Sequence, residues 1–230
     1  MSLRRIGILG GMGPEATVLL MQRLIAATPA RDDADHVPLL VDMNPQVPSR
    51  IARLIEGRGA DPGPVLAGMA RGLEAAGATA LAMPCNTAHH YAPEIRAAVS
   101  VPFIDMVALS VAHAARRAGP GGRVGLLGSP ALRRIELYDR ACAAAGLDLV
   151  HPGDEAGLLA AIRAIKAHGP DPISRAALRA ASSDLLSRGA TLQLVACTEF
   201  SLIADAVASE ALAVDTLDLL VEGIRAAAAG

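Results

Sequence analysis

Residues 77–87 read GATALAMPCNT, and residues 189–199 read GATLQLVACTE. In both stretches Gly-Ala-Thr opens an apolar run, a cysteine falls eight positions after the glycine, and a small polar residue follows it. The cysteines are Cys85 and Cys197. Two further segments repeat at nearly the same offset. Ile6-Gly7-Ile8-Leu9-Gly10 returns as Val124-Gly125-Leu126-Leu127-Gly128, and Phe103-Ile104-Asp105 returns as Ala213-Val214-Asp215. A chain duplicated in this way carries one thiol at the same place in each half. Two such thiols facing each other across a cleft suit the transfer of a proton from one face of a carbon to the other.

Around these stretches, short continuous apolar runs alternate with longer segments of helical spacing. The runs are Ile6–Leu9, Pro38–Val41, Ala80–Met83, Pro102–Ile104, Val124–Leu127, Leu147–Val150, Leu192–Val195 and Leu212–Val214. They lack period-two polarity, as strands covered on both faces do. Glu15–Ala27, Val65–Ala76, Ala156–Ala167 and Ser174–Arg188 read as helical crossovers. The pattern predicts an α/β fold of two similar parallel-sheet lobes related by internal duplication. The first lobe is expected over 1–105 plus 216–230, its last helix (Thr216–Ala228) crossing back, and the second over 106–215. Ligands of open parallel sheets bind beyond the carboxyl ends of the strands. Cys85, Cys197, Gly10–Gly13 and Ser129 all fall there, which predicts an active site in the inter-lobe cleft. A helix N-terminus after each cysteine is expected to lower the thiol pKa and to hold a carboxylate.

Composition narrows the function. A net charge of −2 gives no electrostatic footprint for nucleic acid. Aromatic residues make up 2% of the chain, with no Trp, so stacking platforms for bases are scarce. Three cysteines do not make a disulfide framework, and a reducing, cytoplasmic setting is the simplest. The start MSLRRIGILGGMGP lacks the cleavage pattern of a signal peptide. No window approaches a membrane span, because the most apolar stretch contains Pro102 and Asp105. Of 21 basic residues one is a lysine, Lys166. Either chance or the need for an ammonium at that place explains it.

Each motif has a plainer reading. A lone cysteine at a strand end is more often a small buried hydrophobe. The duplication, with Asn86-Thr87 after one thiol and Thr198-Glu199 after the other, favours chemistry instead. Cys142 has no such company and reads as structural. Gly11-Met12-Gly13-Pro14-Glu15-Ala16 matches G-x-G-x-x-A after a strand, with Asp42 as a ribose partner, so a nucleotide-binding module stays open. The other reading is a tight turn that lets backbone approach a small substrate. Cys85, His89 and His90 do not have zinc spacing, and no metal is expected. Asn44-Pro45-Gln46-Val47-Pro48-Ser49-Arg50 is either an exposed turn or a rigid loop presenting Gln46 and Arg50 to an anion.

At these residues the chain resembles the aspartate/glutamate racemase family, and within it the aspartate racemase branch. The matching segments are IGILGGMGPEAT at 6–17, NPQVPSR at 44–50, MPCNTAHH at 83–90 and ACTEF at 196–200, with Lys166 in AIKAHG. The resemblance spans essentially the whole chain. It implies a racemase without cofactor, acting on a small acidic amino acid, and a homodimer. Cys85 and Cys197 would be the two acid/base residues, with Thr87 and Glu199 beside them. Arg50 and Lys166 would anchor the substrate's side-chain carboxylate. Asn86, Thr87 and Thr198 would hold the α-carboxylate, and the Met12 turn would close the site. CTE rather than CTH points to aspartate over glutamate. Family members carry a Thr- and Gly-rich turn after the fifth strand. Here it reads Gly128-Ser129-Pro130-Ala131-Leu132. Ser129 keeps one hydroxyl, while Leu132 falls where a second is expected, which predicts weaker α-carboxylate binding or another substrate.

Two-base chemistry accounts for these residue types. The Cα–H of an amino acid is a very weak acid, so donors must stabilise charge flowing into the carboxylate. One thiolate removes the proton while the opposite thiol returns one, and the two titrate as a coupled pair. Three other readings remain open at this stage: isomerisation or decarboxylation of a diacid on the same fold, nucleotide binding at Gly10–Gly13, and a pyridoxal imine on Lys166.

Overall fold

In the computed structural model, which describes residues 3–230, eight strands form within two residues of the apolar runs. In chain order the first half holds β1 (Ile6–Gly10), α1 (Pro14–Ala27), β2 (Leu39–Met43), α2 (Arg50–Leu54), α3 (Gly63–Ala75), β3 (Ala80–Ala82), α4 (Ala92–Ala98), β4 (Phe103–Ile104) and α5 (Met106–Ala118). The second half holds β5 (Arg123–Gly128), α6 (Pro130–Arg134), α7 (Leu137–Ala144), β6 (Asp148–Val150), α8 (Glu155–His168), α9 (Pro172–Ser187), β7 (Leu192–Ala196), α10 (Thr198–Ser201), β8 (Ala213–Asp215) and α11 (Thr216–Ala229). Every strand pairing is parallel. One four-stranded sheet has the order β2-β1-β3-β4 and the other β6-β5-β7-β8, so the duplication legible in the sequence is a duplication of topology. The chain separates into two units. One runs up to Met106 and resumes over Leu217–Gly230; the other is Val107–Thr216.

The apolar runs lack alternating polarity because helices cover both faces of each sheet. In the first unit Ile6 and Ile8 of β1 and Ala80 and Ala82 of β3 pack with Leu20 and Leu24 of α1 and with Leu217, Leu220, Val221 and Ile224 of α11. Leu9 and Leu81 point the other way, toward Leu66, Met69 and Leu73 of α3. In the second unit Val107, Val111 and Ala114 of α5 pack with Val124, Leu126 and Leu194.

The glycine repeated inside β1 and β5 has a packing cause. A Cβ on Gly7 would lie 2.7 Å from Leu81 and 2.9 Å from Ala78, with Leu73 of α3 next. A Cβ on Gly125 would lie 2.8 Å from Leu185 of α9 and 3.2 Å from Ala190. Both strands therefore let a helix approach closely at the same register. Gln193, the one polar side chain within the β7 run, is wholly buried. Its amide accepts from the Ser182 hydroxyl at 2.7 Å and donates to the Ser182 carbonyl at 2.9 Å, so α9 satisfies it. Among the described residues no helix is long and apolar enough to cross a membrane.

Candidate functional site

In each sheet the chain starts in an inner strand, goes to one side, then returns to pair on the other. This places the topological switch point between β1 and β3 in the first unit and between β5 and β7 in the second. Crevices for ligands open at such points, beyond the strands' carboxyl ends. The Gly11–Gly13 turn follows β1 and Cys85 lies three residues past β3. Ser129 follows β5 and Cys197 follows β7 directly.

The first unit fixes its turn internally. Gly11 has φ +89°, and a Cβ there would lie 2.4 Å from the Asn44 carbonyl carbon. The Gly11 N–H donates to Thr17 Oγ1 at 3.0 Å, and that hydroxyl donates to the Gly13 carbonyl at 3.2 Å. That is the tight-turn role of the first glycine in a G-x-G-x-x-A stretch, which both readings of the loop share. Met12 is buried in one cluster with Val47, Cys85 and Tyr91.

The loop after β2 is equally self-contained. Asn44 Oδ1 accepts from the Gln46 N–H at 2.9 Å, and Ser49 caps α2 by accepting from the Ala52 N–H at 3.2 Å. Arg50 opens α2, and its Nη1 donates to the carbonyls of Val47 at 3.1 Å and Pro48 at 2.8 Å. Its guanidinium is thus held against its own loop, with Gln46 exposed nearby in sequence.

Cys85 is 8% exposed and Asn86 is buried, while Thr87 is half-buried and begins a 3-10 turn, Thr87–Tyr91. The expected helix therefore starts later, at Ala92. His89, expected only as a poor metal ligand, has both ring nitrogens occupied by backbone. Nδ1 lies 2.9 Å from the Cys85 carbonyl, and Nε2 accepts from the Met106 N–H at 3.1 Å. Among the described residues no three His, Cys, Asp or Glu side chains converge as a metal site.

In the second unit the thiol and two charges form a chain. Cys197 Sγ donates to Glu199 Oε2 at 3.0 Å, and Glu199 Oε1 forms an ion pair with Lys166 Nζ from α8. Cys197, Thr198 and Glu199 are all buried, whereas the Lys166 side chain is 35% exposed. Burial pushes the Cys197 thiol well above its ordinary value, the Glu199 carboxylate adds to this, and the Lys166 ammonium opposes it. This corrects the expectation that a helix N-terminus lowers this pKa. The helix after Cys197, α10, is one turn long, so its dipole is small beside desolvation and an adjacent anion. Cys197 rests as a neutral thiol with a proton acceptor already in contact.

Ser129 is buried and caps α6, accepting from the Ala131 N–H at 3.3 Å. Leu132, expected where a second hydroxyl would stand, is wholly buried in the core with Val124, Leu126, Tyr138 and Cys142. Its Cδ1 occupies the space beside Gly128, 2.7 Å from where a Cβ there would be. The side chain is packing, not a missing ligand. Leu132→Thr should therefore lower stability by about 2–4 kcal/mol, through lost contacts and a hydroxyl left in an apolar cluster. Urea unfolding would read this as a lower midpoint at unchanged slope. Cys142 lies in the same cluster, where burial and the Asp139 carboxylate push its thiol up to about 12, as suits a packing residue.

Sequence reasoning missed two contacts, the His89 brace and its counterpart in the repeat. Ser201 stands four residues after Cys197, as His89 does after Cys85. Its hydroxyl donates to Asp215 Oδ1 at 2.8 Å. The shared spacing was the available signal.

The family model described as Asp/Glu/Hydantoin racemase matches residues 9–228. The chain is 27% identical over 217 residues to the broad specificity amino-acid racemase RacX of Bacillus subtilis (strain 168), covering 92% of each chain. Its structure is similar to that of an aspartate racemase from Picrophilus torridus, with TM-score 0.82, 25% identity and coverage of 98% of this chain and 94% of that one. A glutamate racemase from Francisella tularensis shares the fold at TM-score 0.68 and 16% identity, over 98% of this chain and 81% of that one. With a match over nearly its whole length, the chain belongs to the Asp/Glu/hydantoin racemase family.

Proposed function

We propose that this racemase works without a cofactor on an acidic amino acid, aspartate foremost, and moves the α-proton between Cys85 and Cys197. The observation that carries the reading is the Cys197–Glu199–Lys166 chain at the switch point of one sheet, with Cys85 at the equivalent place in the other. In one direction Cys85 as thiolate takes the Cα–H proton, and Cys197, resting as a thiol, gives its proton to the opposite face of the carbanion. In the other direction Cys85 enters as the thiol: Cys197 first passes its proton to Glu199 and takes the substrate's, Cys85 gives its own to the opposite face, and Glu199 releases its proton to solvent. The product is the mirror image, and each turnover leaves the two sulfurs in exchanged states, reset by proton exchange with solvent.

The remaining side chains divide between the two carboxylates. Asn86, Thr87, Thr198 and Ser129, with the peptide N–H groups around them, hold the α-carboxylate and stabilise the charge that flows into it. Arg50 and Gln46 receive the side-chain carboxylate, with Lys166 exchanging Glu199 for it, and the Met12 turn covers the substrate. The three thiols are unbridged, which suits a reducing cytoplasm. We take the working form to be a homodimer.

The test is α-proton exchange in D₂O, followed by NMR, with L- and D-aspartate, L- and D-glutamate and no added cofactor. Exchange of both enantiomers of one substrate, with inversion, is expected. Because the Bacillus subtilis relative is a broad specificity racemase, neutral amino acids belong in the same series. No exchange with any of them would overturn the proposal.

A further inference from the structure

His89 is a wholly internal imidazole with two backbone partners, and these assign its tautomer. A carbonyl only accepts, so Nδ1, 2.9 Å from the Cys85 oxygen, carries the hydrogen. A peptide N–H only donates, so Nε2, 3.1 Å from the Met106 nitrogen, is bare. The ring packs against Phe103 with centroids 5.3 Å apart. The charges facing it are Asp105 and Arg96, which pair with each other at 2.6 Å. Desolvation holds the imidazole below its ordinary pKa; Asp105 opposes this and Arg96 adds to it.

The repeat shows what the ring accomplishes. In the second half Cys197 is the N-cap of α10, so its carbonyl is met by the backbone N–H groups of Phe200 at 2.9 Å and Ser201 at 3.1 Å. Ser201 then reaches Asp215, the residue before α11. In the first half the turn begins one residue later, with Asn86 as N-cap. There the imidazole four residues on meets the Cys85 carbonyl and reaches Met106, the first residue of α5. Both halves tie the cysteine peptide to the start of the following crossover helix, one through serine and one through histidine. Holding the peptide plane after Cys85 fixes the backbone frame from which its Cα–Cβ bond, and so its Sγ, projects.

We propose that His89 is the positioning residue of the first thiol: its neutral Nδ1–H imidazole locks the Cys85 peptide onto the start of α5 and thereby aims Sγ at the substrate. The catalytic arm of this inference rests on the racemase reading; the geometric arm does not.

The experiment uses the full chain with His89→Leu, which keeps volume but no polar atom, and His89→Asn, which keeps an N–H near the place of Nδ1. Deuterium wash-in is measured for each enantiomer separately. Cys85→Ser identifies the enantiomer that depends on Cys85. Exchange of that enantiomer should fall about a hundredfold in His89→Leu, the scale of a misplacement of about 1 Å. It should recover in part in His89→Asn, while exchange of the other enantiomer stays near that of the parent protein. An equal fall for both enantiomers, or none, overturns the proposal.

If the parent protein exchanges no amino acid, the racemase reading fails and alkylation decides. His89→Leu must then change the iodoacetamide rate of Cys85 severalfold, with that of Cys197 unmoved and His89→Asn restoring the parent rate; equal rates overturn it. If His89→Leu does not fold, ¹⁵N NMR of the parent protein decides at neutral pH. An Nδ1–H neutral ring is expected, and the Nε2–H form or an imidazolium overturns the proposal.

Discussion

Cys85→Ser and Cys197→Ser should each lower racemisation about a thousandfold, within the range typical of general acid–base groups. This corresponds to about 4 kcal/mol of transition-state stabilisation. Serine matches cysteine closely in shape, so the buried positions stay filled, but its hydroxyl is far too weak an acid to serve as an anionic base. The two enantiomers have equal energy, so forward and reverse rates must fall together and initial rates cannot reveal which base was removed. Isotope exchange can. Each variant keeps one thiol, so the α-proton facing that thiol should still wash out without inversion. Cys85→Ser and Cys197→Ser should therefore retain exchange of opposite enantiomers. Retention of inversion in both variants would end the two-thiol reading, and loss in only one would leave a single sulfur with a different partner on the opposite face. Thermal unfolding of both variants near the parent temperature would separate this from loss of fold.

The repeat carried most of the fold. Apolar runs without alternation, this short and separated by helical stretches, fit strands covered on both faces, and β1 through β8 follow them. The glycines repeated at 7 and 125 were visible as letters, but their cause lies in how near α3 and α9 come, and only packing reveals that. At the site, the sequence indicated which strand ends carry thiols and which polar residues stand beside them. It could not give the Cys197 environment. A helix start in the sequence suggests a lowered thiol pKa, yet α10 is one turn and the thiol is buried against a carboxylate. Nor could it tell that Leu132 turns into the core, since a residue four positions past a strand end can face either way. In the sequence His89 looks only like a poor metal ligand, because its partners, a carbonyl and a peptide N–H, are backbone groups with no letter there.

Glu199→Gln should produce two effects of opposite sign. The carboxylate and burial together disfavour the Cys197 thiolate, so replacing the anion with a neutral amide of the same shape removes one of the two. The pH at which Cys197 becomes open to alkylation should move down, and its reactivity near neutrality should rise. Racemisation should nonetheless fall, by about a hundredfold. The thiol that must shed a proton before acting as base no longer has an acceptor at 3.0 Å, and Lys166 loses its partner. Lys166→Met should move the alkylation midpoint the other way, because the ammonium favours the thiolate. Since thiol, carboxylate and ammonium are in direct succession, each midpoint belongs to the group as a whole. A more reactive Cys197 with an undiminished rate in Glu199→Gln would reduce Glu199 to an electrostatic neighbour. A more reactive Cys197 with a slower enzyme at unchanged KM is the result expected if the carboxylate takes part in moving the proton, because a larger thiolate supply favours the direction in which Cys197 is the base, and a displaced Lys166 would act on KM.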